Sequence, residues 1–364
     1  PGIIDDHVHF RDPGLTHKAD ILTESRAAAA GGVTSIMDMP NTNPLTVTLD
    51  ALNAKLDLLN EKCIVNHSCY FGATNNNYTE FDKLDKHRVC GIKLFMGSST
   101  GNMLVDKMNS LLNIFNGTDM LIAAHCEDQE TIKNNIEKYK QKYKGADDIP
   151  VSAHPSIRSV PACYASSELA VRLAKIAGAR LHILHVSTAK ELQLFSDEPL
   201  ASKNITAEAC VAHLLFTLTH YNSLGARIKC NPAVKRKTDR EALRAAVNSG
   251  LIDVIATDHA PHLLNEKEGG ALKAMSGMPM IQFSLVSMLE LVDEGVFSLE
   301  TVVQKMCHAP ARIYGICHRG YIREGYQADL VLVRPNSPWE VSADKILSKC
   351  GWSPLEGHTF NWKV

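Results

Sequence analysis

Nothing in this 364-residue sequence approaches the roughly 18 consecutive apolar residues of a membrane span, and no basic stretch followed by an apolar one opens it. A membrane partner is therefore not expected. Charge of one sign is equally scarce: 38 Lys+Arg against 40 Asp+Glu give a formal net charge of −2 with His neutral, which leaves no global field to attract nucleic acid or anionic lipid. A small-molecule substrate is the partner that fits. The sequence also lacks any Cys-x-x-Cys pair among its 10 cysteines. Several of these lie inside apolar runs, where a free thiol packs as a small core residue, so a reducing, cytoplasmic compartment is expected. There is no internal repeat and no low-complexity tract, and a hydrophobic content of 45% rules out the disordered and collagen-like classes. An initiating Met is missing as well. Pro1 leads straight into a strand-like run, and a preceding segment is expected on that ground.

What is present is an alternation of short β-rich runs with long helical stretches, the pattern of a parallel sheet with helical crossovers. Strands are expected over Ile3 to His9, Val33 to Met39, Ile64 to Phe71, Val89 to Phe95, Leu121 to His125, Arg180 to Val186, Ile205 to Ala209 and Ile252 to Asp258. Helices are expected between them, among others over Lys18 to Ala30, Leu49 to Asn60, Asp128 to Lys144, Ser159 to Ala177, Asp239 to Asn248 and Gly277 to Asp293. Eight strands with crossovers match the size of a closed (β/α)8 barrel; a doubly wound open sheet is the alternative. The barrel is expected to fill residues 1–314. After about Gly315 the character changes: Gly320 to Val333 reads as two short strands around Gly325, and 315–364 is expected to form part of a small accessory β-domain completed by the missing N-terminal segment.

The chemistry begins at His7-Val8-His9, where side chains two apart on a strand share a face and both imidazoles reach one ion. An HxH pair is common by itself. It gains weight because Lys93, His125, His185 and Asp258 also stand at strand ends, which a barrel gathers on one rim. Imidazole and carboxylate suit zinc, and such a set leaves coordination positions open for water. Lys93, within Gly-Ile-Lys-Leu-Phe, reads either as a surface lysine or as a carbamate formed with CO2, since a bare ammonium inside a barrel is costly; the anionic form would bridge two cations. Asp258, in Ala-Thr-Asp-His-Ala-Pro-His, reads either as a turn cap or as a base that takes a proton from an attacking water and passes it to a leaving nitrogen. Arg11, Asn41 and His262 place one permanent cation and two hydrogen-bonding groups on the rim, which suits a substrate carboxylate. Arg11 reads equally as the partner of Asp12 or Asp20 in an ion pair, and Asn41 as an Asx-turn between Pro40 and Pro44.

Six segments, in order, resemble the dihydroorotases of the amidohydrolase superfamily: His-Val-His-Phe-Arg-Asp-Pro-Gly (7–14), Met-Pro-Asn-Thr-Asn-Pro (39–44), Gly-Ile-Lys-Leu-Phe (91–95), Ala-His-Cys-Glu (124–127), Leu-His-Val-Ser-Thr (184–188) and Thr-Asp-His-Ala-Pro-His (257–262). The resemblance implies two Zn2+ per subunit, the more buried held by His7 and His9, the second by His125 and His185, with carboxylated Lys93 bridging both. It implies that Asp258 ligates the first ion and shuttles the proton. Arg11, Asn41 and His262 would hold the substrate carboxylate, and Asn231 in Lys-Cys-Asn-Pro is similar to the family's ring-contacting asparagine. The implied reaction is the reversible cyclisation of N-carbamoyl-L-aspartate to L-dihydroorotate in pyrimidine synthesis, with no nucleotide or redox cofactor. A lysine at the bridge resembles the lysine-bridged branch. The family's catalytic lid would correspond to Met96 to Met103, where the match is poor. Two other stretches depart from the family pattern. Ser-Gly-Met-Pro-Met-Ile-Gln (276–282) lacks the usual Gly-hydrophobe-Glu, which puts a Gly277 contact to the ring in doubt, and Val211-Ala212-His213 lacks the usual Pro-His-His, which bears on packing near His213.

Three rival readings remain at this level. A hydantoinase, dihydropyrimidinase or allantoinase would share the metal set, but its substrate has no ring carboxylate for Arg11 and Asn41 to meet. A non-catalytic barrel scaffold has no need of the six proposed ligands present. A mononuclear deaminase would leave Lys93 merely structural. A homodimer is the default assembly for a soluble enzyme.

Overall fold

The computed structural model describes residues 1–97 and 103–364. Eight parallel strands pair in chain order: β1 (Ile3–Val8), β2 (Val33–Asp38), β3 (Asn66–Gly72), β4 (Val89–Phe95), β5 (Ile122–His125), β6 (Leu181–Ile183), β7 (Ile205–Cys210) and β8 (Val254–Ala256). The sheet closes on itself just beyond β8, where His9 N–H donates to the His259 carbonyl (2.7 Å) and His259 N–H to the His7 carbonyl (3.3 Å). This is the expected (β/α)8 barrel, and an open doubly wound sheet is excluded by that closure.

Helices at Ile21–Ala30, Leu49–Lys62, Met108–Asn116, Gln129–Lys142, Val160–Ala177 and Lys237–Ser249 lie in the crossovers, while β3–β4 and β6–β7 are joined through 3-10 turns among the described residues. Three of their starts are set by capping: Asp20, Thr48 and Asp128 each accept from a backbone N–H three residues on, satisfying donors the helix cannot. Outward-facing strand residues such as Ile3, Ile36 and Ile92 pack with the helices in the main core, while Ile4, Met37, Tyr70, Ala123 and Leu184 form a separate apolar cluster. A buried ion pair ties two strand exits together. Lys55 Nζ lies 2.6 Å from Asp38 Oδ2 and donates to the Met39 carbonyl, while Asp38 Oδ1 accepts from Phe10 N–H at 2.8 Å. Both side chains are fully buried, so Lys55→Met strands a carboxylate and is expected to cost about 3–5 kcal/mol, read as a lower denaturant midpoint.

Several elements differ from expectation. β6 ends at Ile183 and β8 at Ala256, short of His185 and Asp258, because these two residues have left-handed backbone, φ 40° and 47°, which no strand continues through. The helix expected from Gly277 starts only at Ser284 after a short 3-10 turn; Met278 is instead held against the barrel by a parallel bridge to His259. No strand forms between Gly320 and Val333. Leu330 and Leu332 there are 55% and 89% exposed, and an extended segment with no paired neighbour is not stable as a strand. Gly2 N–H donates to the Asp329 carbonyl (2.7 Å). The small sheet of the tail is β9 (Trp339–Glu340) antiparallel to β10 (Thr359–Phe360), with Trp339 and Phe360 packed on Phe283. The loop expected over Met96 to Met103 lies largely outside the described residues.

Candidate active site

The barrel's C-terminal rim encloses one cleft, and it gathers all ten residues singled out from the sequence: His7, His9, Arg11, Asn41, Lys93, His125, His185, Asn231, Asp258 and His262. The first strand reaches it by an irregularity. Its register against β2 shifts between Asp5 and Val8, so consecutive residues Asp6 and His7 both meet Glu208 or its partner His182, as a bulge re-aims side chains. His9 stands beyond the strand end, so the two imidazoles of the HxH reach one point, as expected, through a bulge followed by a loop and not along a regular strand.

Hydrogen bonds fix the imidazoles. His7 Nδ1 donates to Glu208 Oε1 (3.0 Å) and His9 Nδ1 to Asn41 Oδ1 (2.8 Å), so in each ring Nε2 carries the lone pair. Both lone pairs point at the same atom: His7 Nε2 and His9 Nε2 each lie 3.2 Å from Asp258 Oδ1. Burial pushes His7 down to about 4 and His9 well below the usual imidazole range, so neither ring brings a second proton at neutral pH. Three acceptors thus converge with no hydrogen between them. Ligands of a tetrahedral zinc, bound at about 2.0–2.1 Å, are roughly 3.3 Å apart, and a cation is what this trio fits. A second pair adjoins it. His125 Nδ1 and His185 Nε2 are 2.9 Å apart, and the His7 and His185 ring centroids 5.2 Å. His125 Nε2 is 3.1 Å from Glu127 Oε2, and burial lowers both rings below the ordinary value.

Lys93 is buried, its Nζ 4.5 Å from the Phe95 ring centroid, so it is not a surface lysine. Burial pushes its ammonium down to about 8. Arg11 forms no ion pair with its acidic neighbours in sequence: Asp12 pairs with Lys62 (3.1 Å) and Asp20 with Lys349 (2.9 Å). Arg11, left-handed at φ 65°, donates through Nε to the Pro261 carbonyl (3.0 Å) and brings Nη2 to 3.1 Å from His262 Nε2. Arg11, His185 and Asp258 are three of the five non-glycine residues with positive φ among those described. Such backbone costs about 1–3 kcal/mol each and collects at functional sites. Asn231 Oδ1 is 3.0 Å from His154 Nε2.

Sequence reasoning missed the residues behind these. Glu208 Oε1 accepts from His7 Nδ1 and from the His185 backbone N–H (2.8 Å), joining β1 to the segment after β6 through one oxygen. Glu127 stands between His125 and Arg158, and Lys18 reaches His262. The signal for Glu208 was a carboxylate inside the apolar run Thr-Ala-Glu-Ala-Cys. The two departing stretches differ in consequence: Gly277, φ 135°, lines the cleft, whereas His213 is buried with Nε2 3.0 Å from the Pro232 carbonyl and does not line it.

Known proteins share this architecture. The amidohydrolase family model matches residues 1–349. A dihydroorotase of Halobacterium salinarum is 34% identical over 360 residues, covering 98% of this chain and 82% of that protein. An allantoinase of Bacillus velezensis is 31% identical over 372 residues, covering 100% and 80%. Among solved structures, an L-hydantoinase (dihydropyrimidinase) from Arthrobacter aurescens aligns with TM-score 0.94 at 29% identity, over 100% of this chain and 82% of its own. Converging lone pairs on the rim and a family match over nearly the whole barrel lead to one statement: this chain is an enzyme that belongs to the amidohydrolase family.

Proposed function

We propose that the enzyme is a dihydroorotase, which interconverts N-carbamoyl-L-aspartate and L-dihydroorotate in pyrimidine synthesis. The observation that carries the substrate choice is the Arg11 guanidinium, buried in the cleft with His262 at its side. A permanent cation and a neutral imidazole next to the hydrolytic centre have a purpose if the cyclic amide carries a carboxylate. Several relatives named dihydroorotase, 30–34% identical over nearly the whole chain, support the reading.

In this reading His7, His9 and Asp258 would hold one zinc and His125 and His185 a second, and carboxylated Lys93 would serve both. When bound, such a pair supplies an activated water and polarises the amide carbonyl. Carboxylation joins the uncharged Nζ to the carbon of CO2 with loss of one proton, and the fall of the ammonium to about 8 makes that uncharged form accessible. Arg11, Asn41 and His262 hold the substrate carboxylate, and Asn231 contacts the ring. In hydrolysis Asp258 accepts the water's proton and delivers it to the leaving ring nitrogen; in cyclisation it runs in reverse. Glu208 and Asn41 keep His7 and His9 in the tautomer that offers Nε2. All ten cysteines are unpaired, which supports a reducing compartment such as the cytoplasm.

The allantoinase relative and the hydantoinase fold neighbour favour a second reading, a cyclic amidohydrolase for substrates without the carboxylate. L-dihydroorotate, hydantoin and allantoin, each supplied to the zinc-loaded enzyme, separate the two. Turnover of dihydroorotate alone is expected, and Arg11→Met is expected to lower kcat/KM for it about 10–100-fold through KM, the worth of a charged hydrogen bond, with metal content unchanged. Turnover of hydantoin or allantoin, insensitive to Arg11→Met, would establish the second reading.

A further inference from the structure

His262 is buried between two cations. Its Nδ1 lies 3.1 Å from Lys18 Nζ, and its Nε2 lies 3.1 Å from Arg11 Nη2 and 3.0 Å from the Ser276 carbonyl. Glu266 adds one carboxylate: Oε1 is 2.8 Å from Lys18 Nζ and Oε2 3.7 Å from His262 Nδ1. Lys267, the remaining cation nearby, gives its amine to the carbonyls of Lys229, Met275 and Gly277. Ammonium and guanidinium groups only donate, so the two neutral tautomers of His262 can be counted against these contacts. With the proton on Nε2, Lys18 donates to Nδ1 and Nε2–H donates to Ser276; one contact, Arg11 against Nε2–H, is donor to donor. With the proton on Nδ1, only Arg11 is satisfied, while Lys18 faces a donor and the Ser276 carbonyl faces a lone pair. Burial, Arg11 and Lys18 together hold the ring far below its usual pKa, so the doubly protonated form does not compete.

We propose that Lys18 is a positioning residue that fixes His262 as its Nε2–H tautomer, with that hydrogen on the Ser276 carbonyl, so that no ring lone pair takes up Arg11 Nη2 and the guanidinium is left to bind a carboxylate. In this tautomer Arg11 Nη2 meets a donor and no acceptor 3.1 Å away, and an anion arriving there supplies the acceptor it lacks. Without Lys18, Glu266 would be the group nearest Nδ1 and would draw the proton to it, turning a lone pair toward the incoming anion. The residue thus acts on substrate binding through His262 without touching substrate. The carboxylate role rests on the dihydroorotase reading; the tautomer does not.

The test reads both. Side-chain 15N spectra of the zinc-loaded wild type, with the His262 resonances identified by their loss in His262→Gln, are expected to show an unprotonated Nδ1 and a protonated Nε2. A wild type with the proton on Nδ1 overturns the proposal whatever any variant does. In Lys18→Met the proton is expected to move at least partly to Nδ1, and KM for L-dihydroorotate to rise roughly tenfold with kcat and metal content little changed; Lys18→Arg, which keeps a donor, is expected to recover both tautomer and KM. An unchanged tautomer in Lys18→Met, or a KM loss that Lys18→Arg does not recover, overturns it. If wild type ignores dihydroorotate but shows the Nε2–H form that Lys18→Met loses, the substrate reading has failed and the role of Lys18 stands.

Discussion

Asp258→Asn is expected to lower kcat by about 10²–10⁴-fold, the range a positioned acid–base group contributes, while both metals stay bound. The substitution preserves shape and one oxygen toward His7 and His9, each of which sits 3.2 Å from Asp258 Oδ1. What it removes is the capacity to take and return a proton. The left-handed backbone at this residue, φ 47°, is tolerated by asparagine as well as aspartate, so the loss is not expected to come from misfolding. Steady-state rates at saturating substrate, with metal content measured on the same sample, check this. A loss below about tenfold with metals retained would remove Asp258 from proton transfer.

Lys93→Ala is expected to have the second large effect. Zinc content falls below two per chain, and kcat/KM drops about 10³-fold, the equivalent of the several kcal/mol of charge stabilisation a metal supplies. The physical reason lies in the burial of Lys93 against Phe95 and beside four lowered imidazoles. A cationic amine there would repel two divalent ions, and an anionic carbamate would hold them. Metal analysis together with a 13C signal from labelled bicarbonate on the wild type, absent from the variant, separates the carbamate from a structural lysine. Retention of most activity in Lys93→Ala would favour the mononuclear deaminase arrangement.

The residues that meet in the rim cleft were legible in the sequence where chemistry and periodicity coincide. Lys93 and His125 lie in strands that run as expected, and a barrel must gather such ends on one rim. His185 and Asp258 were found by residue type even though their strands stop short, because a left-handed backbone leaves no mark in the pattern of apolar residues. Glu208, Glu127 and Lys18 were not found. Each acts through another side chain, and two of these pairings cross the barrel or cleft, spanning 201 positions for His7–Glu208 and 244 for Lys18–His262. The tail was misread at Gly320 to Val333 because its alternating apolar residues satisfy a strand's local pattern, yet Leu332 is 89% exposed and has no partner strand to pair with among the described residues.

The rim of the barrel is expected to hold two metal ions. Anomalous diffraction at the zinc edge from crystals of the zinc-loaded enzyme tests it most directly. Two peaks are expected, one among His7, His9 and Asp258 and the other between His125 and His185, with electron density beyond Lys93 Nζ reaching both. A single peak, or two peaks elsewhere with Lys93 ending at its amine, would contradict it.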